Sequence, residues 1–211
     1  MFALVGDPVG RGFVKSYARP GGNITGLTSN PRTVVGKRLQ LLIDAVGKSR
    51  SVGVLVNSAS NPLQLSDMKA AARSAGVRLS VQEAREVSEL EGAFAAMRRD
   101  EVAGVIELPD VMFYAQSRRI ADLALRHRLP MMGPYRDFVD VGGLMAYGAD
   151  LNDLMRRSAT YVDKILKGSK PDDLPVEQAA KFELSINLKT AKALGLTIPP
   201  ALWLQIDRVV E

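Results

Sequence analysis

The sequence predicts an α/β fold built on doubly wound parallel sheets. Short apolar runs alternate with amphipathic helical stretches along the chain. A strand followed by a helix recurs at least four times, most regularly between about residues 50 and 135. Val52 to Val56 is a continuous buried-strand run. Together these point to a parallel sheet covered by helices on both faces and joined by right-handed crossovers.

Taken in order, Phe2 to Val5 predicts the first strand, and Asn23 to Leu27 a second after the turn at Pro20-Gly21-Gly22. Leu39, Leu42, Ile43 and Val46 mark one stripe of a helix. After Val52 to Val56 comes a helix with Leu65, Met68 and Ala72 inward, stopped at Gly76. Val77 to Val81 alternates as a strand. Ser88 and Glu91 have capping-box spacing at the start of a helix carrying Leu90, Phe94 and Met97. Val102 to Leu108 is the next strand, followed by a helix with Phe113, Ile120, Leu123 and Ala124, and Pro130 to Met132 opens a short strand.

Beyond Gly142-Gly143 the pattern is less regular. Leu144 to Tyr147 reads as a strand, and Leu151, Leu154, Met155, Ser158, Val162 and Ile165 mark one face of a long helix ending near Gly168. Lys170 to Gln178 is a polar connector rich in Pro and Asp. Phe182 to Ile186 is a strand, and Asn187 caps a short helix that Gly195 ends. Pro199-Pro200 opens a last helix with Leu202, Ile206, Val209 and Val210 inward.

The 211 residues suffice for a substantial core. The net charge of +5 does not imply nucleic acid. Arg98-Arg99, Arg118-Arg119 and Arg156-Arg157 are isolated pairs on solvated helix faces, with no helix-turn-helix head and no aromatic-basic face. With no cysteine, disulfides, thiolate metal sites and cysteine nucleophiles are excluded. No run approaches the roughly 20 apolar residues of a membrane span. The one histidine, His127, stands between Arg126 and Arg128 at a helix end, and no Gly-x-Ser-x-Gly elbow accompanies it. Gly6 to Gly12 has neither the spacing of a dinucleotide fingerprint nor a Walker lysine. Asp172-Asp173 and the pair Asp150 and Asp153 do not make a metal cluster. Trp203, near the start of the last helix, reads as packing. The expectation is a protein without catalysis, cofactor or metal.

In open α/β sheets ligands bind beyond the carboxyl ends of the strands. The residues there are Gly6-Asp7-Pro8, Asn57 to Pro62, Pro109-Asp110, Gly133-Pro134-Tyr135 and Tyr147-Gly148. Such residues also shape turns and cap helices. Their recurrence at successive strand ends favours a site for a small polar ligand, with Asp7, Asn57, Asn61, Asp110, Tyr135 and Tyr147 as candidate ligand-binding residues. Asp7 or Asp110 would meet a ligand amine, and Tyr135 offers an apolar face with a hydroxyl.

The C-terminal third carries a more specific signal. Lys164 to Pro171, Asp173 to Gln178 and Lys181 to Pro200 resemble the ending of a family of ABC transporter substrate-binding proteins. Earlier stretches match the same family: Val5 to Gly10, Ala18 to Leu27, Arg119 to Ala124, and Phe138-Val139 with Gly142 to Gly148. The resemblance implies a type I periplasmic-binding fold, in which two α/β lobes joined by hinge strands close over a solute. Some relatives bind aromatic amino acids. The implied function is the solute-binding component of an ABC-type importer, taking an amino acid or small organic acid between its lobes, with an ABC permease as partner and a periplasmic location. A ligand-sensing regulatory domain of the same fold and a truncated, non-transporting paralogue are the alternatives.

Family members begin several strands before the Gly6-Asp7-Pro8 motif, and Met1 to Asp7 does not read as a signal peptide. A chain that is the full native product is on that count expected in the cytoplasm. The expected domains are an incomplete lobe 1, residues 1–46 with about 143–177, and a complete lobe 2, residues 47–142 with about 178–211. A lobe lacking its opening strands exposes a sheet edge and apolar surface, so a two-fold homodimer is expected.

Overall fold

The computed structural model describes residues 1–29, 34–47, 51–60 and 62–211. In chain order its elements are β1 (Phe2–Ala3), β2 (Gly26–Thr28), α1 (Val34–Val46), β3 (Ser51–Val56), α2 (Pro62–Ala75), β4 (Arg78–Glu83), α3 (Leu90–Arg99), β5 (Val105–Glu107), α4 (Val111–Ala115) and α5 (Ser117–Arg126). They continue as β6 (Met131–Gly133), α6 (Asp137–Asp140), β7 (Met145–Ala149), α7 (Leu151–Leu166), β8 (Glu177–Gln178), β9 (Phe182–Asn187), α8 (Leu188–Ala193), α9 (Pro200–Trp203) and β10 (Arg208–Val210).

The chain forms two compact units, residues 1–31 with 148–182 and residues 32–147 with 183–211. These boundaries differ from the expected 1–46 with 143–177 and 47–142 with 178–211. Helix α1 belongs to the second unit, because Val35, Leu39, Leu41, Leu42 and Ala45 pack with Val54, Ile106 and Met145 in one core.

In the first unit the described strands form a three-stranded sheet in the order β1-β2-β8, with both pairings parallel. Its core joins Leu27, Ala149, Leu154, Tyr161, Leu174 and Ala179. Asp150 caps α7, accepting from the N–H groups of Asn152 (2.9 Å) and Asp153 (3.1 Å). The buried stripe of α7 runs through Leu154, Ser158 and Tyr161. Met155 and Val162, expected inward, are 49% and 43% exposed. The stripe is rotated because the large Tyr161 turns in and donates its hydroxyl to the Pro175 carbonyl (2.6 Å). The connector expected over Lys170 to Gln178 also supplies the short strand β8.

In the second unit the described strands form a seven-stranded sheet in the order β10-β9-β7-β6-β5-β3-β4. β3 pairs in parallel with both β4 and β5, and β5–β6, β6–β7 and β9–β10 are also parallel. Strand side chains alternate between the faces. Val52, Val54, Val56 and Ile106 enter a core with α1, α2 and Leu202, whereas Leu55 and Val105 enter another with α3, α5, Phe113 and Phe138. Both faces are therefore covered, as a doubly wound sheet requires. Helix α2 ends before Gly76 and α8 before Gly195, each with positive φ (66° and 72°). Asn187 caps α8 through the Thr190 N–H (3.0 Å).

Three local expectations are corrected. The cap ahead of α3 is made by Glu89, not Ser88. Its carboxylate accepts from the N–H groups of Arg85 (2.6 Å) and Glu86 (3.1 Å) and holds a 3-10 turn at Val87–Glu89. The single helix expected after the fifth strand divides at Gln116 into α4 and α5. The last expected helix stops at Trp203, and Val209 and Val210 belong to β10, paired with Ile186 and Asn187. Asp207 makes that turn possible: its carboxylate takes the Leu184 N–H (2.8 Å), and its own N–H goes to the Leu184 carbonyl (2.9 Å).

Candidate ligand-binding site

The parallel strands β3, β5, β6 and β7 of the second unit end on one side of the sheet, about 4.8 Å apart strand to strand. Asn57 follows β3 directly, Asp110 lies just beyond β5, Tyr135 just beyond β6, and Tyr147 lies within β7, one residue past its last pairing with β6. Four of the candidate residues thus share the carboxyl side of one sheet. Asn61 lies outside the described residues. Asp7 is in the first unit, where its carboxylate takes the Gly10 N–H (2.8 Å) and shapes the turn that follows.

Each position has its local cause. Asn57 accepts the Ser60 N–H on its backbone carbonyl (3.1 Å), while its side-chain Oδ1 is buried without a hydrogen-bond partner. Asp110 is the N-cap of α4, accepting from Met112 (2.8 Å) and Phe113 (3.4 Å) through one oxygen. Tyr135 meets Tyr114 edge-to-face, with centroids 6.1 Å apart and planes at 79°. The Tyr114 hydroxyl donates to Asp137 (2.6 Å), which, followed by burial, pushes its pKa up to about 12. The Tyr147 hydroxyl is raised by burial first and by the charge of Asp207 second, against the pull of Arg38.

Two residues absent from the sequence reading lie beneath these. Arg38 on α1 is 1% exposed. Its Nε donates to the Tyr147 carbonyl (2.7 Å) and its Nη2 to the Pro134 carbonyl (3.2 Å), while Nη1 has no partner. Burial lowers its pKa to about 10, outweighing the pull of Tyr135, Glu107 and Tyr147, so the guanidinium stays charged at neutral pH. Glu107, the last residue of β5, is 2% exposed, and its Oε2 has no hydrogen-bond partner. Burial pushes its carboxyl up to about 8; Arg38 pulls it down and Asp110 pushes it further up. A signal for each was available. Glu107 interrupts the apolar run Val105-Ile106-Leu108, and Arg38 falls at helical spacing between Val34 and Leu41 or Leu42.

The residues set aside in the sequence behave as follows. His127 ends α5, with Nε2 3.1 Å from Glu91 and its ring stacked on Phe94. Trp203, expected to pack inward, is 43% exposed because α9 turns Leu202 inward instead. Among the described residues no three His, Asp or Glu side chains gather as a metal site, and no helix is long and apolar enough to cross a membrane.

A parallel sheet wound on both faces, with polar and aromatic side chains collected at its carboxyl side, is the architecture of a small-molecule-binding protein. The chain belongs to the ABC transporter substrate binding protein family, whose family model matches residues 1–210. It is 25% identical to a tyrosine-binding protein of Clostridioides difficile over 199 residues, 93% of this chain and 56% of the relative. The chain thus spans little more than half the length of that curated relative. Among solved structures it resembles a conserved domain protein from Vibrio cholerae, with a TM-score of 0.91 and 27% identity over 99% of this chain and 70% of the other. It also resembles an ABC domain from Streptococcus pneumoniae in complex with L-Trp, with a TM-score of 0.90 and 25% identity over the same shares. The expected family and the type I periplasmic-binding-like fold are borne out by these matches.

Proposed function

We propose that the protein is the solute-binding component of an ABC-type importer and that its solute is an aromatic amino acid. The observation that carries this reading is the edge-to-face pair of Tyr114 and Tyr135 at the carboxyl side of the sheet, in a family whose similar members include a tyrosine-binding protein and an L-Trp complex. A third ring in such a cluster gains about 0.5–1.5 kcal/mol per aromatic contact beyond the area it buries. Asp110 and Asn57 supply acceptors for a ligand ammonium. The chain binds without catalysis, works outside the cytoplasm and delivers solute to an ABC permease.

Isothermal titration against L-tyrosine, L-tryptophan, L-phenylalanine, aliphatic amino acids and small organic acids tests this. The expected result is saturable binding of aromatic amino acids, with Tyr135→Ala weakening it about tenfold, equivalent to 1.4 kcal/mol. Binding confined to non-aromatic solutes overturns the aromatic reading. A thermal shift supplies the same answer by mass action, since ligand at 100 times its Kd stabilises by about 2.7 kcal/mol.

The same reading includes a two-fold homodimer. Strand β1 is the outer strand of the described three-stranded sheet, and outer strands offer unpaired backbone groups. Met155, Val162 and Leu166 lie exposed along one face of α7 in the same unit. Burying ~400 Å² of such surface supplies on the order of 10 kcal/mol before association costs. Light scattering behind size exclusion is expected to give twice the 22.9 kDa chain mass at tens of micromolar; a single-chain mass overturns the dimer.

A further inference from the structure

The second unit contains a buried cation that the ligand reading leaves without a task. A charge taken out of water costs several kcal/mol even after relaxation, and a Leu or Met at position 38 would fill the same space without that cost. Packing therefore does not account for an arginine there. What an arginine adds is a planar fork of donors in fixed geometry.

The fork is placed where the backbone ladder fails. β6 and β7 are neighbours, in register at Met132↔Met145 and Gly133↔Ala146. β6 ends at Gly133, and Pro134 follows it beyond the last paired residues. At this point Arg38 Nη2 reaches the Pro134 carbonyl (3.2 Å) and Arg38 Nε the Tyr147 carbonyl (2.7 Å). One edge of the guanidinium bridges two adjacent strands just past their last paired residues. The two carbonyls adjoin the two candidate tyrosines, since Pro134 precedes Tyr135 and the Tyr147 carbonyl is that residue's own.

We propose that Arg38 is a positioning residue for ligand binding, a side-chain clasp that extends the β6–β7 pairing by one step and so fixes where Tyr135 and Tyr147 stand. It acts from inside the core and does not touch the ligand. Glu107 on β5 is the buried acid that acts on it electrostatically, and the apolar neighbours on α1, Leu39, Leu41 and Leu42, hold the helix that delivers it. The inference rests on the aromatic-ligand reading only for the choice of probe; the clasp itself is a property of the free protein.

The test uses Arg38→Lys, Arg38→Met and the double variant Arg38→Met/Glu107→Gln. Lysine keeps the charge beside Glu107 but offers a point donor instead of a fork. The double variant removes the cation and the ionisable acid together, so a folding failure of Arg38→Met from an orphaned carboxyl does not block the experiment. Amide hydrogen exchange of the free proteins is expected to rise locally in segments 131–136 and 143–148, with β3 and β4 unchanged, in Arg38→Lys and in the double variant. L-tyrosine and L-tryptophan are expected to bind both variants at least about tenfold more weakly than they bind the wild type. Unchanged local exchange, an even rise across the whole sheet, or unchanged affinity beside raised local exchange overturns the proposal. Should the wild type bind neither amino acid, the aromatic reading falls, and the exchange pattern alone decides the role of Arg38.

Discussion

Gly143→Ala is expected to destabilise the second unit by about 1–3 kcal/mol and Phe138→Ala by about 3–5 kcal/mol, while the double variant costs clearly less than the two together. The reason is a close approach. A Cβ built at Gly143 meets the ring of Phe138 and lies 2.7 Å from the Phe138 carbonyl oxygen, and a Cβ at Gly133 meets the same ring. The Gly143 N–H donates to that carbonyl (2.8 Å), so the contact cannot open without losing a hydrogen bond. Phe138 is 3% exposed and fills the space two glycines leave at the end of β6 and the approach to β7. Alanine at 143 pushes the ring out; alanine at 138 leaves a cavity. In the double variant the new methyl enters part of that cavity, which sets an interaction energy of about 0.5–3 kcal/mol in the cycle. Urea unfolding of the four proteins measures it, and additive costs would show that the ring and the glycine are not in contact. The packing matters for binding because Tyr135 lies two residues before α6 and Tyr147 lies within β7. Both are aimed from backbone that this contact holds.

Much of this was legible in the sequence, for reasons that particular elements show. The run Val52 to Val56 is buried on both faces, so its hydrophobicity needed no period to be recognised, and β3 falls over the expected residues. Asn187 was readable as a cap because its side chain works within three residues of itself. Long-range effects were not readable. The alternation in Arg208-Val209-Val210 suits either state, and only pairing with β9 makes it a strand. The buried face of α7 is turned toward Tyr161 by a hydroxyl contact with Pro175, fourteen residues on. The placement of Asn57, Asp110 and Tyr135 after their strands was legible because strand ends can be located from periodicity. Arg38 was passed over because charge on a helix usually marks its solvated face, and the carbonyls that need its donors become neighbours only when the sheet forms. Glu107 had the same difficulty: an acid within an apolar run is unusual, but its buried counter-charge lies on another element.

Glu107 supplies the second large effect, on stability as a function of pH. Burial holds its carboxyl at about 8 in the folded protein, against an ordinary value of 4.5. A carboxyl raised on folding keeps its proton in the folded state over a range where the unfolded chain has already released it. Its contribution to stability is therefore fully present below about pH 4.5 and declines between there and about pH 8. The slope within the window is at most about 1.4 kcal/mol per pH unit for one proton. Above pH 8 the folded carboxyl ionises too and the decline levels off. Arg38, lowered by burial to about 10, keeps its charge throughout the window and adds nothing to the slope. Glu107→Gln keeps the shape of a protonated glutamate but has no proton to lose. Urea unfolding of both proteins at pH 5, 6, 7 and 8 is expected to show the wild type losing stability relative to Glu107→Gln by a few kcal/mol across the series, with little difference near pH 5. Every other titrating group is common to both proteins and cancels in the comparison. Parallel pH dependences would mean that Glu107 ionises in the folded state near its ordinary value, with Arg38 compensating its burial in full. The expected divergence would mean that at neutral pH the cation beneath Tyr135 and Tyr147 faces mainly a neutral acid, so the fork is held chiefly by the two carbonyls it bridges.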